Sequence, residues 1–211
     1  MYYRANKQYK WGFLTTSDIE IRDLLKAWVA ISLAFAIVIS GGRIFSPGFI
    51  TFFLLAAFSV GIGFIVHELG HKVVAQHYGC WAEFRAFNFM LWVAVAMSFL
   101  GFVFAAPGAV MIQGPVGIRR NGKISMAGPG MNLLLSVFFL GNLFLLPLTG
   151  FLEQLFLYGF AINTFLALFN LIPILNFDGR KILRWNKGVY AIMVFIAFVF
   201  MMFQSIYLKV F

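Results

Sequence analysis

The sequence is poor in charge. Only 11% of its 211 residues are charged and 62% are hydrophobic, whereas a soluble domain is usually about 25% charged. A soluble fold of this length has too little polar surface to cover so many apolar side chains, which include 28 phenylalanines. The composition therefore excludes a soluble domain and predicts a protein that crosses the membrane several times.

Cysteine is also nearly absent. The single Cys80 excludes a disulfide framework and any zinc site made of cysteine pairs. Basic residues are not scarce, and the net charge is +9, but they lie between apolar runs instead of clustering on one surface. We therefore expect no nucleic-acid partner, and we expect the basic loops to mark the cytoplasmic side of a cell membrane.

Six apolar runs divide the chain. A capping box at Ser17–Glu20 predicts a helix that begins at the membrane interface and continues into the first run. Ser46-Pro47 predicts the start of the second helix, which should continue to about Tyr78 and end at Gly79. No repeat or linker separates the runs, so we predict a single domain over residues 1–211. The six runs are 24–40, 48–66, 90–106, 131–148, 151–171 and 188–208.

Short stretches between these runs have the features of β structure. Residues 81–87 alternate charged and apolar side chains, which predicts a strand, and Ala109–Ile112 is a second candidate. Asn121-Gly122 favours a tight turn, so we predict a hairpin around residues 119–124. The predicted fold class is an all-α polytopic membrane protein with five to six transmembrane helices and a small membrane-associated β-hairpin or sheet.

The distribution of basic residues indicates whether the 90–106 run crosses the membrane. If this run crosses the membrane, the two sides carry eight basic residues each and the orientation stays undecided. If it dips in and returns, the split becomes 14 to 2. Because lysine and arginine are enriched on the cytoplasmic side, we predict five full spans, a re-entrant or interfacial segment at 90–106 and a cytoplasmic N-terminus.

Histidines are few but closely spaced. Two of the three in the chain, His67 and His71, flank Glu68 at the end of an apolar run. Residues four apart lie on one face of a helix, so both histidines can bind one metal ion, and Glu68 has the position of the general base in an HExxH metalloprotease. A polar patch at a helix end is the alternative. The complete motif in a chain with so few histidines favours metal chemistry.

A catalytic zinc site needs a third protein ligand. Among the seven acids of the chain, Asp178 is the best candidate because it lies just beyond an apolar span. Pro173 stops the preceding helix, and Gly179 permits a tight turn after the aspartate. A helix cap or an ion pair with Arg180 would explain Asp178 equally well, and spacing alone leaves the two interpretations open.

Three motifs together resemble the signatures of the site-2 proteases, which are intramembrane zinc metalloproteases. The resemblance covers residues 46–179, which places the catalytic core at about 46–180. It implies one zinc ion per chain, with His67, His71 and Asp178 as ligands. It also implies that Glu68 is the general base. The motifs are His67-Glu68-Leu69-Gly70-His71, Gly128-Pro129-Gly130-Met131-Asn132 at the start of a later helix, and Asn170-x-x-Pro173-x-x-x-x-Asp178-Gly179.

The resemblance also has implications for substrates and partners. The substrate would be a transmembrane protein cleaved within the lipid bilayer or near it, and its extended chain could pair with the edge of the strand at 81–87. Asn132 and Asn170 match positions that line the family's active site, and we expect them to bind or polarise a substrate carbonyl. The chain departs from the family's PxPxLDG pattern before Asp178, although the substitutions largely keep size and hydrophobicity. We expect neither a PDZ nor a nucleotide-sensing domain, and an unidentified regulatory membrane protein is a candidate partner.

A membrane channel or transporter is the alternative from another functional class. It would use Asp178 with Asn132 and Asn170 as a polar path. It does not explain a glutamate within an i, i+4 histidine pair, and the sequence has no related halves. A catalytically inactive relative that acts as a membrane adaptor is disfavoured, because Glu68 and both histidines are present.

Overall fold

The computed structural model describes residues 7–103 and 107–208. In these residues the elements are β1 (Gln8–Trp11), β2 (Leu14–Ser17), α1 (Asp18–Ile39), α2 (Phe49–His77), β3 (Trp81–Ala86), α3 (Asn88–Ser98), β4 (Gly108–Gln113), α4 (Ile118–Leu145), α5 (Gly150–Asn170), α6 (Asp178–Trp185) and α7 (Lys187–Leu208). The α2 helix includes a π-helical turn at Ala57–Gly61, and α7 ends in another at Gln204–Leu208.

Among the described residues, four helices are long and apolar enough to cross a membrane, namely α2, α4, α5 and α7. This confirms the all-α polytopic membrane class. The predicted first span corresponds to α1, a helix of 22 residues. Because charges are costly inside a bilayer, its first half is suited to the interface and only its second half to the apolar region. The charged residues of that first half are Asp18, Glu20, Arg22, Asp23 and Lys26.

The apolar segment between β3 and β4 leaves the sheet and returns to it. Its helical part, α3, has only 11 residues, about half of what a span requires. At the base of the segment, the Phe87 amide donates to the Pro107 carbonyl at 3.0 Å, so the two ends lie side by side. This geometry agrees with the re-entrant arrangement predicted for 90–106, of which residues 104–106 lie outside the described part.

Two small antiparallel sheets accompany the helices. β3 pairs with β4 from Trp81 opposite Gln113 to Ala86 opposite Gly108, which confirms both strands predicted from the sequence. The sequence pattern does not predict the β1–β2 hairpin, which turns at a glycine with a φ of +61°. The backbone N–H and C=O of Thr15 both pair with the side chain of Gln76, which attaches the hairpin to the end of α2.

The α4 helix lies at the centre of the bundle and packs against α2, α5 and α6. It begins at Ile118, so the hairpin predicted around 119–124 is wrong. The Gly128-Pro129 motif lies inside this helix and not at its start. Gly122 belongs to a helix contact, because a Cβ there would lie 2.2 Å from the Cβ of Trp185 in α6. The glycine therefore permits close packing of α6 against α4.

Buried polar contacts join the start of α1 to α2 and β3. The Ser17 hydroxyl accepts from the Glu20 amide at 3.3 Å, as the capping box predicts. The Glu20 carboxylate is fully buried and accepts from the Phe84 amide at 2.9 Å. It also forms an ion pair with Lys72 of α2. The N-terminal part of α1 thereby fixes β3 relative to the end of α2.

Candidate metal centre and active site

Three buried side chains, two from α2 and one from α6, converge beside α4. His67 and His71 lie in the final turns of α2, and Asp178 is the first residue of α6. Asp178 Oδ2 lies 3.0 Å from His71 Nε2 and 3.5 Å from His67 Nε2, and the two Nε2 atoms are 3.0 Å apart. The structure therefore brings together the three residues predicted to hold a metal ion.

The chain between α5 and α6 carries Asp178 to the histidines. The α5 helix ends at Asn170, ahead of Pro173 as predicted, and α6 begins directly at Asp178. Gly179 is not the turn residue that the sequence suggests. A Cβ at this glycine would lie 2.0 Å from the Leu171 carbonyl oxygen, so the missing side chain allows α6 to pack against the end of α5.

Two basic residues of α6, Lys181 and Arg180, are close enough to Asp178 in sequence to form an ion pair with it. Lys181 Nζ lies 3.5 Å from Asp178 Oδ1, the oxygen that does not face the histidines. Arg180 donates to the Leu175 carbonyl at 2.9 Å and does not form the ion pair considered from the sequence. The Oδ2 atom of Asp178 is therefore directed at the imidazoles and not at a basic residue of its own helix.

The outer ring nitrogens of both histidines have acceptor partners. His71 Nδ1 lies 2.8 Å from the Ile124 carbonyl, and His67 Nδ1 lies 2.6 Å from Asn132 Oδ1. Because a carbonyl or amide oxygen only accepts, each neutral ring carries its hydrogen on Nδ1. The Nε2 lone pairs of both rings then point toward Asp178, as metal ligation requires.

The spacing of the three ligand atoms fits a metal ion. Ligand atoms bound to tetrahedral zinc at 2.0–2.1 Å are about 3.3 Å apart, and here the separations are 3.0 to 3.5 Å. Two lone pairs and a carboxylate this close repel one another unless a cation lies between them. Gly128 of α4 leaves space beside the ligands, because a Cβ there would lie 2.4 Å from His71 Nε2 and 2.6 Å from His67 Nε2.

The electrostatic surroundings keep Asp178 ionised. Burial by itself would raise the pKa of its carboxyl group. When no cation is bound and the imidazoles of His71 and His67 are protonated, their charge and hydrogen bonds lower that pKa by more and leave it well below its ordinary value. The ionised carboxylate is the form that binds a divalent cation.

Glu68 lies between the two histidines in sequence but is not part of the ligand cluster. It is 8% exposed, and its Oε2 accepts from the Val110 amide of β4 at 3.2 Å. The carboxylate therefore lies between the metal cluster and the β3–β4 sheet. A general base needs this position if a peptide binds along the sheet.

The asparagines predicted from the resemblance have different surroundings. Asn132 is fully buried, and its amide contacts His67 and Asn163, so it is tied to a candidate ligand and does not face open space. Asn170 donates to a carbonyl one turn earlier in α5, and none of its described contacts joins it to the cluster. Sequence reasoning misses Asn163, although a polar residue in the middle of an apolar run is itself a signal.

The two edges of the β3–β4 sheet differ in accessibility. Side chains occupy the outer edge of β3, where substrate pairing is predicted from the sequence. In an antiparallel pair, the amides of Phe84 and Val110, which face each other, both point away from the ladder. The Val110 amide meets Glu68, so β4 and not β3 presents its edge to the candidate site. The contacts on β3 are Gln76 to the Ala82 carbonyl at 2.8 Å, the Phe84 amide to Glu20 at 2.9 Å and the Ala86 amide to Asp23 at 3.2 Å.

This fold and site define a helical membrane protein with an HExxH candidate metal centre that a distant aspartate completes. The chain is 41% identical over 180 residues to a protein of Methanocaldococcus jannaschii named "Putative zinc metalloprotease", and the alignment covers 83% of this chain and 89% of that protein. The chain therefore belongs to the same family as this protein. No family model and no solved structure matches the chain.

Proposed function

We propose that the protein is a zinc-dependent intramembrane endopeptidase, which hydrolyses a peptide bond within or near a transmembrane segment of a membrane protein, as in regulated intramembrane proteolysis. The observation that carries the proposal is the convergence of the three candidate ligands beside Glu68, within the last three turns of a helix long enough to span a membrane. The name of the 41% identical relative supports a zinc protease. The motifs shared with site-2 proteases support the intramembrane type.

Each residue of the site has a separate task in this reaction. A bound zinc ion would polarise the scissile carbonyl and activate water for attack. His67, His71 and Asp178 hold the ion. Glu68 takes a proton from the attacking water and delivers it to the nitrogen of the leaving amine. The Val110 amide orients the Glu68 carboxylate toward the sheet edge.

We place the N-terminus and the opening of the active site on the cytoplasmic side of a cell membrane. The α2 helix begins at Phe49, so His67 lies about 27 Å along the helix at about 1.5 Å per residue. The hydrocarbon core is about 30 Å thick, which puts the histidines near the far boundary of the bilayer, where water can reach them. The distribution of basic residues assigns that boundary to the cytoplasm.

The substrate is expected to bind as an extended strand along β4. A carbonyl within a helix is held in its own hydrogen bond, so the substrate must unwind before hydrolysis. An unwound segment regains hydrogen bonds by adding to a sheet edge. Because side chains occupy the outer edge of β3 and β4 passes Glu68, β4 replaces the strand at 81–87 in this role.

Disulfide cross-linking distinguishes the two strands. In a Cys80→Ala, Glu68→Gln background, we expect single cysteines around the cleavage site of the substrate to cross-link to Gln113→Cys of β4 and not to Trp81→Cys of β3. These two positions face each other across the sheet and are both exposed, but a strand added to β4 lies about 4.8 Å from β4 and about twice as far from β3. Preferential cross-linking to position 81 would contradict binding along β4.

Metal removal tests the proposed function directly. We expect the purified protein to contain one zinc ion per chain, and to cleave a test transmembrane substrate. Cleavage should be lost with 1,10-phenanthroline and should return when zinc is added. His71→Ala should lose zinc, whereas His77→Ala should keep it because His77 is not in the ligand cluster. Cleavage by metal-free protein, or equal zinc content in the two variants, would contradict the proposal.

The channel or transporter alternative has less support. It requires Asp178, Asn132 and Asn170 to line a common polar path. Asn132 is fully buried against other side chains, and the described contact of Asn170 is within its own helix. The alternative also leaves Glu68 and the paired histidines without a task.

A regulatory membrane partner stays a prediction.

A further inference from the structure

A series of buried amides connects α5 to the candidate metal centre. Asn163 of α5 and Asn132 of α4 are both fully buried, and Asn132 Nδ2 donates to Asn163 Oδ1 at 2.9 Å. Asn132 Oδ1 lies 2.6 Å from His67 Nδ1. Asn163 is therefore two hydrogen bonds away from a candidate metal ligand.

Backbone carbonyls determine which way each amide points. A carbonyl oxygen only accepts hydrogen bonds, so the amide atom that faces it must be the nitrogen. Asn163 Nδ2 donates to the Gly159 carbonyl at 2.8 Å, which leaves Asn163 Oδ1 facing Asn132. Asn132 Nδ2 donates to the Gly63 carbonyl at 3.1 Å, which leaves Asn132 Oδ1 facing His67.

This fixed orientation determines the tautomer of His67. Because Asn132 presents an oxygen, the neutral imidazole of His67 carries its hydrogen on Nδ1 and keeps a lone pair on Nε2. We propose that Asn163 is a positioning residue of the zinc site, which acts through Asn132 to hold His67 in the Nδ1-protonated form with Nε2 directed at the metal. This inference rests on the proposed function, since it assigns a task within the same zinc site.

Buried polar side chains can also join membrane helices without serving a site. The α4–α5 pair contains such a bond, from Thr164 Oγ1 to Ser136 Oγ at 3.1 Å, between two fully buried residues. Asn163 differs because it also contacts α2: a Cβ on Gly63, one turn before His67, would lie 2.3 Å from Asn163 Oδ1. The amides therefore contact the helix that carries the HExxH motif, and Thr164 provides a matched control.

Zinc affinity of the purified full chain is the first measurement. We expect Asn163→Leu to weaken zinc binding about 10-fold, the lower end of the effect seen when a partner of a ligating histidine is lost. Asn163→Asp, in its protonated form, can keep both hydrogen bonds and should restore most of the affinity. Thr164→Val removes only the bond that joins the helices and should bind zinc as the wild type does. Competition with a chelator gives all four affinities.

The tautomer of His67 is a second measurement, which a purely structural role would not change. The chain has only three histidines, so nitrogen-15 spectra of histidine-labelled, metal-free protein, recorded at alkaline pH where the imidazoles are neutral, can resolve them. We expect His67 of the wild type to be protonated on Nδ1. We expect the other tautomer to appear beside it in Asn163→Leu, because only the bond to the Gly63 carbonyl at 3.1 Å then opposes a turn of the Asn132 amide.

The possible results separate the positioning role from the proposed function. Wild-type affinity in Asn163→Leu, or equal losses in Asn163→Leu and Thr164→Val, would overturn the positioning role and leave the zinc site intact. If Asn163→Leu does not fold, the wild-type spectrum decides, since an Nε2-protonated His67 overturns the role without any variant. Failure of the wild type to bind zinc overturns the proposed function itself.

Discussion

Glu68→Gln is expected to lower peptide cleavage by about 100- to 10,000-fold, the range that a general base contributes. Glutamine keeps the size of the side chain and can still accept from the Val110 amide, which now bonds Glu68 Oε2 at 3.2 Å. It cannot take a proton from water. Because Glu68 is not in the ligand cluster, the zinc content should stay at the wild-type level. Cleavage of a transmembrane substrate and elemental analysis of the same preparation provide the two measurements.

Glu153→Gln is the matched control for this variant. Glu153 is an exposed residue in the first turn of α5, so the same change of charge there should leave cleavage unaffected. Equal activity of the two variants would contradict the role of Glu68 as general base. Joint loss of zinc and cleavage in Glu68→Gln would assign Glu68 to the support of the metal and not to proton transfer.

Gly128→Ala is expected to abolish zinc binding and cleavage together. The new methyl group would lie 2.4 Å from His71 Nε2 and 2.6 Å from His67 Nε2, well inside van der Waals contact. Both imidazoles are held at Nδ1, by the Ile124 carbonyl and by Asn132, so neither ring can turn away without losing a buried hydrogen bond. We expect zinc affinity to fall by about 100-fold, the upper end of the effect of disturbing the surroundings of the ligands, measured by competition with a chelator.

Gly130→Ala controls for the effect of alanine on the helix. Gly130 belongs to the same motif and the same helix, and a Cβ there meets no atom within 4 Å. This variant should bind zinc and cleave substrate as the wild type does. Normal zinc binding in Gly128→Ala would contradict the placement of the metal between α2 and α4.

Features that depend on neighbours in the sequence are predicted well. The membrane class follows from composition, and the helix that ends at Gly79 follows from its apolar run and its terminal glycine, which has a φ of +74°. The strands at 81–87 and 109–112 are confirmed as β3 and β4. His67 and His71 share a face because four residues separate them on one helix, and no knowledge of the rest of the fold is needed to expect it.

Local preference misleads where a distant contact opposes it. Asn121-Gly122 favours a tight turn, yet both residues lie in α4. The glycine at 122 makes room for Trp185 of α6, and packing against α6 stabilises the helix over the turn. Gly179 is a second such case. A glycine is needed there because it packs against the Leu171 carbonyl, and not because the chain turns.

The spacing of residues in the sequence is not enough to predict the role of Asp178. Its sequence neighbourhood is compatible with a cap, an ion pair or a metal ligand, and only the packing of both α6 and α2 against α4 directs Oδ2 at the two histidines. The sheet edge that faces the site is decided in the same way, because Glu20 and Asp23 of α1 close β3 from a distant part of the chain. Composition and short-range spacing were enough for the membrane class and the histidine pair. The third ligand, the orientation of His67 and the accessible strand depend on packing between remote segments, which no local pattern encodes.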